Sequence, residues 1–137
     1  APSLLTGEKP LKTPSDLIYH TLLHDTSRRD WQAYVRQLEI QNQINVQQGP
    51  IFSHSSMVIQ AAVHGQGVAL VNNVMARSEI ESGRLVRPFQ DVLVSKNAFY
   101  LVCQDSQAEL GKIAAFRQWI LSQAANEQEK LGLLATS

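Results

Sequence analysis

Phe52–Asn72 reads FSHSSMVIQAAVHGQGVALVN, and the order of residue types in it decides the fold class. Ser53, His54, Ser55 and Ser56 open the stretch, and Val58, Ile59, Ala62 and Val63 then recur at helical spacing. Gly65 stops the predicted helix, Ser56 to His64, and Gly67 releases a short apolar strand, Val68 to Val71. The unit is therefore helix, two-glycine turn, buried strand. Its polar start presents backbone N–H groups without helical partners and the positive end of the helix dipole, which suits an anion or a small polar ligand. Capping uses one side chain, or two at most. The cluster reads either as a cap alone or as a cap plus a ligand-facing surface.

Upstream of this unit, Thr13-Pro14-Ser15-Asp16 starts a short helix over Pro14 to Tyr19, with Thr13 as N-cap. Thr21-Leu22-Leu23 follows as a buried strand ending near His24-Asp25. Trp31, Tyr34, Val35 and Leu38 then stand at i, i+3, i+4 and i+7, an amphipathic helix that Asp30 or Ser27 would cap. Ile44 to Gln47 is strand-like, and Gly49-Pro50 punctuates the chain before Ile51-Phe52 leads into the central helix.

Downstream, Asn72-Asn73 turns the chain and caps a helix over Val74 to Glu81, which Gly83 ends. Leu85 to Phe89 reads as a short edge strand because Pro88 lacks a donor. Ala98 to Cys103 is an apolar strand, and Ser106 to Glu109 forms a capping box that opens the longest helix, Gln107 to Ala125. Leu110, Ile113, Ala114, Ile120, Leu121 and Ala124 mark its inner side, widened by Phe116 and Trp119. Strands alternating with helices imply an α/β fold: a mostly parallel sheet with helices on both faces.

The 137 residues carry 12 Lys+Arg and 12 Asp+Glu, so formal net charge is zero. Phosphate neutralisation needs clustered Lys and Arg, so this segment is not expected to grip nucleic acid. The apolar runs are too short to span a membrane. A single cysteine, Cys103, excludes an intrachain disulfide and fits a reducing, cytoplasmic compartment; in its apolar strand it reads as a buried, inert thiol. His20 and His24 have the i, i+4 spacing of a helical metal pair, but the Thr-Leu-Leu between them reads as strand, so no metal is expected. Gly65-Gln66-Gly67 follows a helix and lacks the third glycine of a dinucleotide loop. No nucleophile-base order and no carboxylate pair assembles. Neither a catalytic residue nor a cofactor is expected, which disfavours an enzyme; a small α/β enzyme stays as a third reading.

The segment SSMVIQAAVHGQGVALVNNVMARSEIESGRLVRPF resembles the LysR-type transcriptional regulators. The resemblance rests on Ala61-Ala62, Gly65-Gln66-Gly67, the strand Val68 to Val71 and Gly83-Arg84-Leu85-Val86, in family order. APSLL at the start, TPSDLIYH and the closing FRQWILSQAA agree with it. The resemblance implies a type 2 periplasmic-binding-protein-like effector domain of two α/β subdomains with a cleft between them. Residues 1–95 would form the second subdomain, 96–125 the return strand and helix of the first, and 126–137 a C-terminal tail. The family's N-terminal DNA-binding domain would lie outside this chain.

The implied partners are a small-molecule effector, DNA through that other domain only, further copies in a dimer or tetramer, and a protein co-regulator. Asp25, Thr26, Phe52, Ser53, His54 and Ser55 would line the cleft, with Phe99 and Tyr100 near the hinge. Val58, Ala61, Ala62 and Val68 would carry a subunit contact, since the helix is apolar around much of its circumference; the alternative is a helix buried inside one subdomain. A solute-binding protein for transport shares this fold type and is the rival reading; it should be exported, and neither a signal peptide nor a cysteine pair is visible.

Overall fold

The computed structural model describes residues 1–94 and 100–130, with the backbone alone for Glu127 and Lys130. The chain divides into two compact units, Ala1–Val94 and Ser95–Ser137.

In the first unit, three short parallel strands are each followed by a helix. They are β1 (Leu22–Asp25), α1 (Arg29–Gln37), β2 (Ile51–Phe52), α2 (Ser55–Val63), β3 (Val68–Ala69) and α3 (Asn73–Glu81). The sheet order is β2-β1-β3. His24 pairs with Ile51 and Asp25 with Phe52 on one side of β1; Leu22 pairs with Val68 and Leu23 with Ala69 on the other. The chain thus leaves β1 through α1 to one flank, then crosses through α2 to the opposite flank.

Strand side chains alternate between faces, and β1 divides the core accordingly. Leu22 packs with Trp31, Tyr34 and Val35 of α1, together with Leu11, Leu17, Ile40 and Ile44. Leu23 packs with Val58, Ile59, Ala61 and Ala62 of α2, Ala76 of α3 and Leu85. Helices therefore cover both faces of a parallel sheet, as the alternation of the sequence predicts.

The helix ends show why these boundaries hold. After α2, Gly65 adopts φ +72°. Its N–H donates to Ala62 O at 3.0 Å and the Gln66 N–H to Ala61 O at 3.1 Å, the paired bonds that close a helix through a left-handed residue. The same pair closes α1, Glu39 N–H to Arg36 O and Ile40 N–H to Val35 O, but there the left-handed residue is Glu39, at φ 58°. Gly67 is required by contact: a Cβ there would overlap the carbonyl of Thr21, which accepts the Val68 N–H at 2.9 Å.

Pro14–Tyr19 is a 3-10 helix. Asp16 Oδ2 accepts from the Thr13 N–H at 2.7 Å, the Thr13 hydroxyl at 2.9 Å and the Lys12 N–H at 3.1 Å. The backbone bond from Thr13, then its hydroxyl, hold the Asp16 carboxyl below its usual range. Asn72 caps α3 by accepting from the Val74 N–H at 2.9 Å, as expected.

Several expectations are corrected. Ile51–Phe52, read as a lead-in, is a strand, whereas Ile44–Gln47 is turn and coil because Ile44 is spent on the core. Val68–Val71 shortens to Val68–Ala69, and Leu85–Phe89 makes no ladder: the Leu85 N–H returns to Glu79 O at the end of α3. Neither Asp30 nor Ser27 is the N-cap of α1; Arg28 occupies that position without a side-chain cap, and Ser27 Oγ accepts only at 3.4 Å from Arg29 N–H.

In the second unit, Tyr100–Cys103 is not strand, and Ala98 and Phe99 of that expected strand lie outside the described residues. Asp105–Gln107 closes as a 3-10 turn, so the long helix α4 begins at Gly111 and not at Gln107. Glu109 is 3.5 Å from the Arg117 guanidinium instead of completing a capping box. α4 continues to Lys130, past the point where a tail was expected.

Candidate functional site at the carboxyl edge of the sheet

Parallel strands send their carboxyl ends to one edge, and α1, α2 and α3 all start from that edge. Because β1 is flanked by strands reached in opposite directions, its carboxyl end is the topological switch point, where open α/β sheets hold ligands. Asp25 and Thr26 occupy it, and Phe52 to Ser55 stand beside them at the end of β2.

The chain is tightly drawn here. The Thr26 N–H donates to Phe52 O at 2.9 Å, and the Ser27 N–H returns to Asp25 O at 2.6 Å around Thr26 at φ 57°. That is a γ-turn with positive φ on a β-branched residue, a conformation such residues rarely adopt. Thr26 is exposed and Asp25 half-buried. The Ser55 hydroxyl donates to Asp25 Oδ2, while Asp25 Oδ1 is shielded and has no hydrogen-bond partner among the described residues.

Ser55 therefore ties the start of α2 to the end of β1. The expected serine cap is corrected by the same bond: the N-cap is His54, in extended conformation, and no side chain caps the helix. The Met57 N–H closes on His54 O at 3.0 Å, which leaves the Ser55 and Ser56 amides of the first turn to the edge. Ser53, exposed, hydrogen-bonds His54 Nδ1 at 2.9 Å, and Ser56 faces an outer groove along α2 with Met57, Gln60 and His64. Among the predicted site residues, Asp25, Thr26, Phe52, Ser53, His54 and Ser55 thus come together. Tyr100 belongs to the second unit and is exposed, and Phe99 lies outside the described residues.

The residues expected at a subunit contact are mostly core. Val58 is 0% exposed, Ala61 6% and Ala62 4%, and Val68 is half-buried in the ladder. The apolar circumference of α2 is consumed by β1, β3 and α3, so the surface it offers is Ser56, Met57 and Gln60, with His64 at its C-cap. Cys103 is exposed, not buried. His24 is fully buried and its Nε2 bonds Gln48 O at 2.7 Å; no metal-holding group of side chains occurs among the described residues.

The γ-turn and the Ser55–Asp25 bond were not legible in the sequence. Threonine gives no signal for positive φ; an acidic residue at the end of an apolar strand in an α/β pattern was the available clue.

The LysR substrate binding domain family matches residues 1–125. This chain belongs to that family. Its relatives include the glycine cleavage system transcriptional activator of Escherichia coli (strain K12), 82% identical over 95% of this chain and 42% of that protein. The homolog of that activator from Haemophilus influenzae is 41% identical over the same shares, 95% and 42%. Among solved structures, the effector domain of the transcriptional regulator AmpR of Pseudomonas aeruginosa is 30% identical and superposes with a TM-score of 0.65, covering 86% of this chain and 57% of that one. The LysR-family segment spans 42% of the length of the first of these relatives. Their names are those of regulators, which favours regulation over solute transport. No helix among the described residues is long and apolar enough to cross a membrane.

Proposed function

We propose that this chain is the effector-sensing part of a LysR-type regulator of glycine cleavage genes, acting in the cytoplasm. The observation that carries this reading is the 82% identity to the E. coli activator over 95% of the chain. The effector is a small polar metabolite held at the carboxyl edge of the sheet. Asp25 accepts from it, Ser53, His54 and Ser55 surround it, and Phe52 and Thr26 shape the wall. The arrangement that supports this site is the switch-point placement of the Ser55–Asp25 pair beside the uncapped start of α2.

Residues 1–95 serve as the second subdomain and 96–125 as part of the first. Binding favours one subdomain arrangement, and a dimer or tetramer passes that change to DNA-binding domains supplied elsewhere in the regulator. A protein co-regulator is a further partner. No catalysis is assigned.

A chimera tests the reading. This chain replaces the matching segment of the E. coli activator, and a glycine-cleavage promoter reports. Retained regulation is expected. In the same chimera, Ser53→Ala with Ser55→Ala should weaken the response with little loss of fold stability, about 1 kcal/mol for the missing Ser55–Asp25 bond. Full response from the double variant would remove the hydroxyls from the site, and loss of all regulation by the folded parent chimera would sink the regulatory reading itself.

A further inference from the structure

The loop that leads into β2 has its carbonyls taken one after another by residues at the end of β1 and the start of α1. Arg28 Nε donates to Gln47 O at 2.9 Å, His24 Nε2 to Gln48 O at 2.7 Å, Arg28 Nη2 to Gly49 O at 3.4 Å, and the His24 backbone N–H to Pro50 O at 3.0 Å. Four consecutive carbonyls thus answer alternately to Arg28 and His24. His24 is fully buried, and Gln48 O can only accept, so Nε2 carries the proton. Arg28 is half-buried; its side chain leaves the start of α1 uncapped and reaches back across the loop.

This grip supplies what the ladder lacks. β2 is two residues long and pairs with β1 only as His24 with Ile51 and Asp25 with Phe52. Ile51 is exposed and Phe52 half-buried, so burial fixes the register of β2 only weakly. A slip by one residue would turn each side chain to the other face and carry Ser55 away from Asp25. Gly49, at φ +99°, lies so close to Leu22 that a Cβ would overlap its carbonyl, which leaves the loop no slack on that side. A guanidinium suits the task, because its planar fork holds several N–H donors at fixed spacing, whereas an ammonium is a single point.

We propose that Arg28 is a positioning residue for the carboxyl edge: together with His24 it sets the register of β2 against β1 and so places Phe52 to Ser55 beside Asp25. The consequence for effector sensing rests on the function proposed above; the register role does not.

The test is amide hydrogen exchange of the 137-residue chain, read by ¹H–¹⁵N NMR. The His24 and Thr26 N–H groups bond Pro50 O and Phe52 O on the β2 side of β1, and the Val68 N–H bonds Thr21 O on the β3 side as an internal control. In Arg28→Ala the first two should exchange at least about tenfold faster, with Val68 within about twofold of the parent. Arg28→Lys, which keeps the charge without the fork, should follow Arg28→Ala. Unchanged rates at His24 and Thr26, equal acceleration of all three amides, loss of the fold in Arg28→Ala, or parent rates in Arg28→Lys would each overturn the proposal. In the chimera with the E. coli activator, Arg28→Ala should weaken the regulatory response; a full response beside selective exchange would overturn the link to the site. A folded parent chimera without regulation removes the functional reading alone, and exchange still decides the register role.

Discussion

Trp31 with Tyr34 in α1 and Phe116 with Trp119 in α4 are the same device: two aromatics three residues apart, ring centroids 5.8 and 5.7 Å from each other. Their surroundings differ completely. Trp31 is 2% exposed, whereas Trp119 is 54% exposed. Trp31 also gives its indole N–H to Leu23 O at 3.0 Å, so the ring is bolted to β1 as well as packed against Leu22. An apolar helical stripe states a demand for a partner; it does not show that one is in place. α1 meets its demand within its own unit, through a strand two turns of chain away.

The sharpest way to break this comparison is truncation. Trp31→Ala should cost about 3–5 kcal/mol by urea denaturation, through lost burial, a cavity and an orphaned Leu23 carbonyl. Trp119→Ala should stay within about 0.5 kcal/mol. Equal losses would mean that the two stripes are alike in solution. Glycines give a second contrast. Gly67→Ala should destabilise by roughly 1–3 kcal/mol because the new methyl meets the Thr21 carbonyl. At Gly111, where nothing lies within 4 Å, alanine should be neutral or stabilising by a few tenths of a kcal/mol.

Tyr34 supplies a pH signature that belongs to α1. Burial first, then the charge of Asp91, push its phenol up to about 12, with Arg87 opposing. The neutral form is favoured by folding, so the associated stability is complete below the ordinary value of 10.0 and is lost as pH rises through about 12. Denaturation midpoints measured upward from pH 10 should fall, and Tyr34→Phe should flatten that fall. A further contrast concerns helix ends. Glu39→Gly should stabilise by up to about 1 kcal/mol, because glycine accepts the left-handed conformation freely. Inside α4, Gln118→Gly should cost about that much instead.

The architecture of the first unit was legible wherever periodicity and punctuation agreed. Trp31, Tyr34 and Val35, the Asn72 cap and the Gly65 stop all stand where their residue types put them. Strand lengths were not legible. Val68–Val71 and Leu85–Phe89 are apolar enough for strands, but a ladder needs a partner, and β1 pairs with β3 over only two residue positions. At the candidate site, residue types were legible and connectivity was not. Four adjacent polar residues suggested a cap; the helix instead opens on His54, because Ser55 bonds a carboxylate thirty positions earlier in the chain. A contact of that range leaves no local trace, and neither does positive φ at Thr26.

The shortness of the flanking strands has its own outcome. β2 and β3 are two residues each and form the outer strands of the sheet among the described residues. An open sheet border is normally a template on which another chain can extend the ladder and begin a fibril. Borders this brief give an intruding strand only one or two bonds, too little to offset the entropy of ordering it. Rims this short offer little to an added strand, and concentrated solutions of the protein should resist fibrillar growth.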